Sequence, residues 1–145
     1  RHVIVCTNAY ASLLLPGFDD LVKPRRGQML ALASQGRTLA ASYYCNDGSE
    51  YFRQAADSTI VVGGCRTYFA DAEVGYEDRT TEAVQRSLES FARAILAVEP
   101  GQPLPVLARW SGLMAFTPDA LPILGPIDHA RPASHAPALG PRVWI

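Results

Sequence analysis

The sequence predicts an α+β fold in which a mixed, mainly antiparallel sheet is combined with one long amphipathic helix. Short apolar segments rich in β-branched residues follow one another in the first half of the chain, and turn residues separate them. Apolar residues then recur at helical spacing between positions 81 and 98. Strand-like segments follow this region, so the helix is expected to pack against the sheet.

The helix has the clearest pattern in the chain. Between Thr81 and Val98 one face is apolar, and the residues that form this face are Val84, Leu88, Phe91, Ala92, Ile95 and Leu96. Asp78 or Thr80 is expected to cap its start, because a short polar side chain can accept a hydrogen bond from the first free amides. Pro100 and Gly101 are expected to end it.

The predicted strands before the helix form an antiparallel meander. They cover residues 29–33, 38–45, 50–54 and 59–62. Gln35–Gly36 predicts one turn between them. Asn46–Asp47–Gly48 predicts a hairpin, because Asp-Gly suits the positive φ angles of a tight turn.

The remaining elements are shorter. Val3–Cys6 predicts a buried strand of a parallel sheet, and a short helix from Ala11 to Leu15 is expected to end at Pro16–Gly17. After the long helix, the predicted elements are a strand at 104–109 that continues through 110–116, a short strand at 121–124, and an exposed loop at 126–141.

Both ends of the chain carry strand-like residues. The chain starts on Val3–Cys6 with no methionine and no lead-in, and it stops on Val143–Ile145 with no polar tail. We therefore expect a piece of a longer protein, cut through secondary structure at each end.

Composition excludes several classes of protein. The 145 residues are 48% hydrophobic and carry a formal net charge of -1, which gives no electrostatic argument for binding nucleic acid or an acidic membrane. The longest apolar runs are only a few residues, too short to span a membrane. Cys6, Cys45 and Cys65 are odd in number and widely spaced, so they are expected to be small reduced core residues of a cytoplasmic protein. His129 and His135 lie in the predicted loop without the spacing of metal ligands, so no metal site is expected.

For two groups of residues, physical reasoning allows two alternative roles. Gly63–Gly64 permits either close approach of a ligand or a bend at a sheet edge. The aromatic side chains of the meander suit either cross-strand core pairs or the wall of an apolar pocket, and they are Tyr43, Tyr44, Tyr51, Phe52 and Tyr68.

Four segments, taken in order, resemble the FAD-dependent oxidoreductases that include D-amino acid oxidase, glycine oxidase and sarcosine oxidase. The segment 3–10 resembles the strand and turn VVxATGAW, and Pro24 with Arg26–Gln28 resembles PxRGQ. Residues 51–53 and 60–66 are similar to YxxPR…GxxxVGGxR. The segment 110–125 resembles WxGxRxxTPDxxPxIG, so the resemblance covers nearly the whole chain.

The resemblance implies a division of the chain and an activity. Residues 1–22 are expected to be a remnant of the FAD-binding domain, 23–112 the substrate-binding domain, and 113–145 a segment that returns toward the FAD-binding domain. The implied activity is FAD-dependent oxidation of a small-molecule amine or amino acid, with hydride transfer to the flavin and an imine product. The alternative is a truncated homologue that acts as a non-catalytic binding module. The sequence contains no G-x-G-x-x-G loop, so the 145 residues alone are not expected to retain FAD.

The resemblance also implies site residues, none of them with a direct role in the chemistry. Substrate-binding residues are expected to be Tyr51, Arg53, Arg66 and Met114. Residues near the cofactor are expected to be Thr7, Asn8, Gly112 and Gly125. A cysteine that could carry the flavin covalently does not occur between Trp110 and Pro118.

Met114 is a departure from the family pattern. The family usually places an arginine there, which grips a substrate carboxylate as a fork. Either Arg66 or Arg53 supplies that grip, or the substrate is an amine without the carboxylate. This favours oxidation of amines or N-substituted amino acids over plain amino acids.

Overall fold

The computed structural model describes residues 3–15, 17–127 and 143–144. The chain divides into two compact units. Unit 1 comprises residues 1–25 and 113–145, and unit 2 comprises residues 26–112. His129 and His135 lie outside the described residues, as does most of the predicted loop at 126–141.

The described elements confirm a mixed architecture of sheet and helix. The strands are β1 (Val3–Ile4), β2 (Lys23–Ala33), β3 (Tyr43–Cys45), β4 (Glu50–Gln54), β5 (Thr59–Gly64), β6 (Val106–Phe116) and β7 (Val143–Trp144). The α-helices are α1 (Ala11–Leu14) and α2 (Glu82–Ile95). Single 3₁₀ turns cover Asn8–Tyr10, Asn46–Gly48 and Arg66–Phe69.

The main sheet has the strand order β3-β4-β5-β2-β6. The pairs β3–β4, β4–β5 and β2–β5 are antiparallel. The predicted meander is confirmed for β3, β4 and β5, but it is wrong for β2, which pairs with β5 and not with β3. The predicted hairpin is confirmed, because Asn46, Asp47 and Gly48 all have positive φ and connect two paired strands. A separate pair, β1 and β7, is parallel, although the predicted burial of β1 is wrong at Ile4, which is 69% exposed.

Helix α2 packs on one face of the sheet. Its 14 residues are fewer than the predicted range of 81–98. The cluster that it shares with β2 and β5 consists of Leu30, Leu32, Ile60, Val62, Cys65, Val84, Leu88, Ala92 and Leu96. Unit 1 has a smaller cluster of its own, made of Ala11, Leu15, Phe18 and Val22.

The predicted ends of the helix are wrong. Thr81 is the N-cap residue and makes no side-chain capping bond, while the Asp78 carboxylate instead accepts a hydrogen bond from Ser111 Oγ at 2.5 Å. The helix stops before Pro100 because Ala97 takes a positive φ of 49°, and the Val98 amide turns back to the Arg93 carbonyl at 3.0 Å.

Several strand predictions also differ from the structure, and three of the differences have a clear physical reason. β2 starts at Lys23, six residues before Met29. Residues 38–42 are not a strand, because the Leu39 amide donates to the Gln54 side-chain oxygen at 2.8 Å and not to a neighbouring strand. Residues 121–124 form no strand, because the Leu121 amide and carbonyl are held within a local turn by residues 119 and 117.

The cysteines are only partly as predicted. Cys65 is buried in the core, Cys45 is half-buried and Cys6 is exposed, so the core assignment is wrong for Cys6. Within the described part of the chain, no helix has the length and apolar character needed to cross a membrane.

Candidate flavin and substrate surfaces

A row of four residues crosses unit 2 on the sheet face opposite α2. The register pairs Tyr44 with Tyr51, Tyr51 with Gly63, and Gly63 with Met29, so these side chains share one face. We call these four residues the aromatic row. The rings of Tyr44 and Tyr51 are stacked with centroids 5.6 Å apart. The Tyr51 hydroxyl donates a hydrogen bond to the Met29 sulfur at 3.4 Å.

Gly63 makes this contact possible. β5 is an interior strand that lies between β4 and β2, so the alternative of a bend at a sheet edge is wrong. A Cβ on Gly63 would lie 2.4 Å from the Met29 sulfur and 2.5 Å from the Tyr51 ring. Gly64 has φ +117° and packs against the Ser49 carbonyl. Both glycines therefore serve close packing within the protein.

The other meander aromatics divide between the two faces. Tyr43 stacks on Phe52 with centroids 4.7 Å apart, and Phe52 meets Phe91 of α2 edge to face at 6.0 Å. Phe52 and Phe91 pack against the core cluster, whereas Tyr43 is 37% exposed and covers Phe52 from outside. Tyr44 and Tyr51 lie on the face opposite α2 and stack on each other across two strands. Their role as the wall of a pocket stays a prediction.

Two predicted arginines belong to the same unit as Tyr51. Arg53 lies two residues further along β4, on the same face, and is exposed. Arg66 is half-buried at the start of a 3₁₀ turn, directly after Cys65, whose φ of 58° redirects the chain. Burial and the neighbouring Tyr44 raise the pKa of Tyr51, and the charge of Arg66 opposes that shift. Tyr51 is therefore a neutral phenol at physiological pH, within the electrostatic reach of a guanidinium.

Unit 1 contains a cavity of about 380 Å³. Its lining is mainly apolar and comes from the segment after β1, from α1 and the loop after it, and from the end of β6 and beyond. The lining residues are Val5, Cys6, Thr7, Asn8, Ala11, Phe18, Val22, Ala115, Phe116, Thr117 and Ala120 to Ile123. The buried hydroxyl oxygen of Thr7 has no hydrogen-bond partner among the described residues. A buried hydroxyl without a hydrogen-bond partner destabilises the folded protein, and a ligand with a polar atom at its edge would supply the missing partner.

Asn8 fixes one wall of the cavity. Its backbone is left-handed, with φ 50°, and its side-chain amide donates to the Leu113 carbonyl at 3.2 Å and accepts from the Ala115 amide at 3.1 Å. The amide group is thus engaged by the backbone of β6. This arrangement makes Asn8 a positioning residue for the cavity wall.

The other predicted site residues lie on β6 and after it. Met114 is half-buried and belongs to unit 1, as does the buried Gly125. Gly112 is the last residue of unit 2 and is exposed. A Cβ built on Gly112 or Gly125 meets nothing within 4 Å. The absence of side chains at these two positions is therefore not required by packing among the described residues.

Sequence reasoning missed a buried polar network on the α2 side of the sheet. Arg26 and Glu73 are each 1% exposed and form a bidentate ion pair, with bonds of 2.9 and 3.1 Å. Gln28 and Thr81 also donate to the Glu73 carboxylate, at 2.8 and 3.0 Å. Burial raises the pKa of Glu73, but the bonds from Arg26, Gln28 and Thr81 outweigh it and hold the pKa below its usual range. The sequence signal that could have revealed this network is the alternating spacing that places four side chains on one face of β2, namely Arg26, Gln28, Leu30 and Leu32.

Comparison with known proteins gives a consistent family. A sequence model of the family "FAD dependent oxidoreductase" matches residues 1–144. The bifunctional protein ThiO/ThiG of Nostoc sp. strain PCC 7120 is 29% identical over 142 residues, which are 96% of this chain and 19% of that protein.

Solved structures share the fold. Glycine oxidase from Geobacillus kaustophilus has a TM-score of 0.63 and 17% identity, over 91% of this chain and 34% of its own. Iminodiacetate oxidase from Chelativorans sp. BNC1 has a TM-score of 0.62 and 24% identity, over 87% of this chain and 33% of its own. The chain thus spans about a fifth of the curated relative and about a third of each solved structure.

Proposed function

Because this chain belongs to the family of FAD-dependent oxidoreductases, we propose that it forms the substrate side of an enzyme that oxidises an amine or amino acid. The observation that carries the proposal is the cavity of unit 1, with its apolar lining and the orphan hydroxyl of Thr7. A flat, largely apolar ring with polar atoms along its edge fits this combination. We assign residues 23–112 as the substrate-binding domain, 1–22 as a remnant of the FAD-binding domain, and 113–145 as a segment that returns toward that domain.

The cofactor side is assigned to four residues. Thr7 would donate its hydroxyl proton to an edge of the ring, and Asn8 would hold the cavity wall through the backbone of β6. Gly112 and Gly125 would let the ring approach the backbone, since the space for a Cβ is open at both. Bound FAD would accept a hydride from the carbon that bears the amine nitrogen, which leaves an imine that water hydrolyses to a carbonyl compound.

The substrate side is assigned to Tyr51, Arg53, Arg66 and Met114. In unit 2 the aromatic row offers a flat apolar surface, and Arg53 and Arg66 supply positive charge beside it. Met114 has a thioether at the position where the family usually has an arginine. A thioether has no hydrogen to donate, so it cannot bind a carboxylate. This favours an amine or an N-substituted amino acid as substrate. The work of these residues is to orient the reacting carbon and exclude water. A cytoplasmic location is compatible with three free cysteines.

Thr7→Val in the full-length protein tests the cofactor assignment. Valine has nearly the same shape but no hydroxyl, so FAD affinity should fall about five- to tenfold, the effect of one hydrogen bond. The thermal stability of the apoprotein should stay equal or rise, because the orphan hydroxyl is gone. Thr38→Val, at an exposed position of unit 2, is the matched control. Unchanged FAD affinity in Thr7→Val would remove Thr7 from the cofactor site.

A further inference from the structure

The Tyr51 hydroxyl has one proton, and the structure gives it a fixed direction. A thioether sulfur can only accept, so in the contact at 3.4 Å the phenol must be the donor. Gly63 of β5 lies between Tyr51 of β4 and Met29 of β2, and because it has no side chain the Tyr51 oxygen can reach the Met29 sulfur. The proton therefore points along the sheet toward β2.

Two neighbours reinforce this direction. Tyr44 stacks on the Tyr51 ring and so limits rotation of its plane. Arg66 interacts electrostatically with Tyr51. A positive charge attracts the lone pairs of a hydroxyl oxygen and repels its hydrogen, which agrees with a proton directed toward Met29. With its proton directed to Met29, Tyr51 offers these lone pairs to a molecule that binds on the sheet face opposite α2.

A neutral phenol oxygen of this kind recognises a particular chemical group. A carboxylate carries no hydrogen to donate, so it gains nothing from a lone pair. A tertiary amine in its neutral form also has no N–H. A neutral primary or secondary amine does have one, and a neutral amine also avoids the repulsion that Arg66 would exert on an ammonium ion.

We propose that Met29 is a specificity-determining residue, which holds Tyr51 as a hydrogen-bond acceptor and so selects substrates whose amine nitrogen bears a hydrogen. The substrate class is then primary and secondary amines, with tertiary amines disfavoured. This inference rests on the proposed oxidation of amines and adds the rule by which the substrate is chosen.

The first test compares two amines in the full-length FAD-bound protein. Anaerobic flavin reduction is measured with N-methylglycine and with its tertiary analogue N,N-dimethylglycine. The wild type should prefer the secondary amine, and Tyr51→Phe should lower that preference about fivefold, the effect of one hydrogen bond. Met29→Leu should lower it severalfold, and Met29→Gln should restore it, because the glutamine oxygen again accepts the proton. Equal reduction by both amines in the wild type, or an unchanged preference in Met29→Leu, would overturn the proposal.

The second test needs no turnover. Ultraviolet titration of the protein against its Tyr51→Phe variant gives the pKa of Tyr51. Loss of the bond to Met29 destabilises the neutral phenol, so the pKa should fall in Met29→Leu and recover in Met29→Gln. An unchanged pKa in Met29→Leu overturns the proposal even if the enzyme oxidises amines. A lowered pKa with no flavin reduction by any amine keeps the Tyr51–Met29 bond but overturns both the proposed function and the selection rule.

Discussion

The hydroxyl of Tyr51 on β4 reaches the sulfur of Met29 on β2, although strand β5 runs between them. Two strands separated by a third lie about 9–10 Å apart, so the side chains meet only because Gly63 leaves the space above β5 empty. The contact lies on the sheet face opposite α2, the face to which we assign the substrate. A glycine inside a strand is thus explained by a contact between its neighbours.

Gly63→Ala should separate this pair. The added methyl would lie 2.4 Å from the sulfur and 2.5 Å from the ring, so the protein should lose about 1–3 kcal/mol of unfolding free energy. Gly112→Ala is the control, since its methyl meets nothing within 4 Å and its stability in the apoprotein should be nearly unchanged. The same Gly112→Ala change should weaken FAD binding if the ring approaches that backbone. Chemical denaturation of both apoproteins checks the first expectation, and equal stability of the two variants would contradict it.

Glu73→Gln should destabilise the protein and change its response to acid. A buried ion pair that loses one partner costs about 3–5 kcal/mol, because the Arg26 charge then lacks its carboxylate. The folded-state pKa of Glu73 is depressed, so its stabilisation is complete above about pH 4.3 and is lost as pH falls through the lower folded-state pKa. The difference in unfolding free energy between the wild type and Glu73→Gln should therefore become smaller as the pH falls.

Glu77→Gln is the matched control for that prediction. Glu77 also lies near Arg26, at 4.0 Å, but its side chain is 68% exposed. The unfolding midpoint of this variant should remain close to that of the wild type, because exposed ion pairs contribute little. Equal losses of stability for Glu73→Gln and Glu77→Gln would show that burial of the pair does not matter.

Asn8→Gly isolates the role of the Asn8 side chain. Glycine adopts the φ of 50° without strain, so the variant removes only the two bonds to residues 113 and 115. We expect a loss of about 1–3 kcal/mol and a weaker affinity for FAD, measured by denaturation and by fluorescence titration. Asn8→Ala should lose more stability than Asn8→Gly, because alanine adds left-handed strain. The reverse order would show that the backbone conformation is unimportant.

The three cysteines differ in exposure, and of the three only Cys6 lines the cavity of unit 1. Cys6 is exposed and lines it, while burial, together with Glu50, raises the pKa of the Cys65 thiol to about 12. Iodoacetamide should therefore modify Cys6 first and leave Cys65 unmodified at neutral pH, because the thiolate is the reactive form. FAD should slow alkylation of Cys6 but leave that of Cys45 unchanged, as followed by peptide mass spectrometry. Equal rates at Cys6 with and without FAD would place the cofactor elsewhere.

The sequence predicted what depends on local periodicity and turn chemistry. Asp47–Gly48 marked the hairpin, and the apolar spacing of Val84 and Leu88 marked the helix, because both signals are carried by neighbouring residues. The start of β2 was missed because Arg26 is charged, and only Glu73, 47 positions later, makes its burial possible. Partners so distant leave no local signal.

For the candidate site too, the sequence revealed residues with a local signal and missed those that come together only in the fold. Tyr51 was selected from its motif and from the density of aromatics around it. Met29 was taken only as a strand residue, because its role depends on the register of three strands and on Gly63 between two of them. The cavity of unit 1 likewise joins segments more than 100 positions apart, such as Asn8 and Ala115. Spacing along the chain cannot show such a juxtaposition.

The most direct measurement is anaerobic flavin absorbance of the full-length protein during titration with a panel of amines and amino acids. The proposed function requires a yellow protein whose oxidised flavin band is bleached by at least one amine or amino acid, with the matching carbonyl compound formed in equal amount. A correctly folded protein that binds no flavin, or a bound flavin that no member of the panel bleaches, would contradict it.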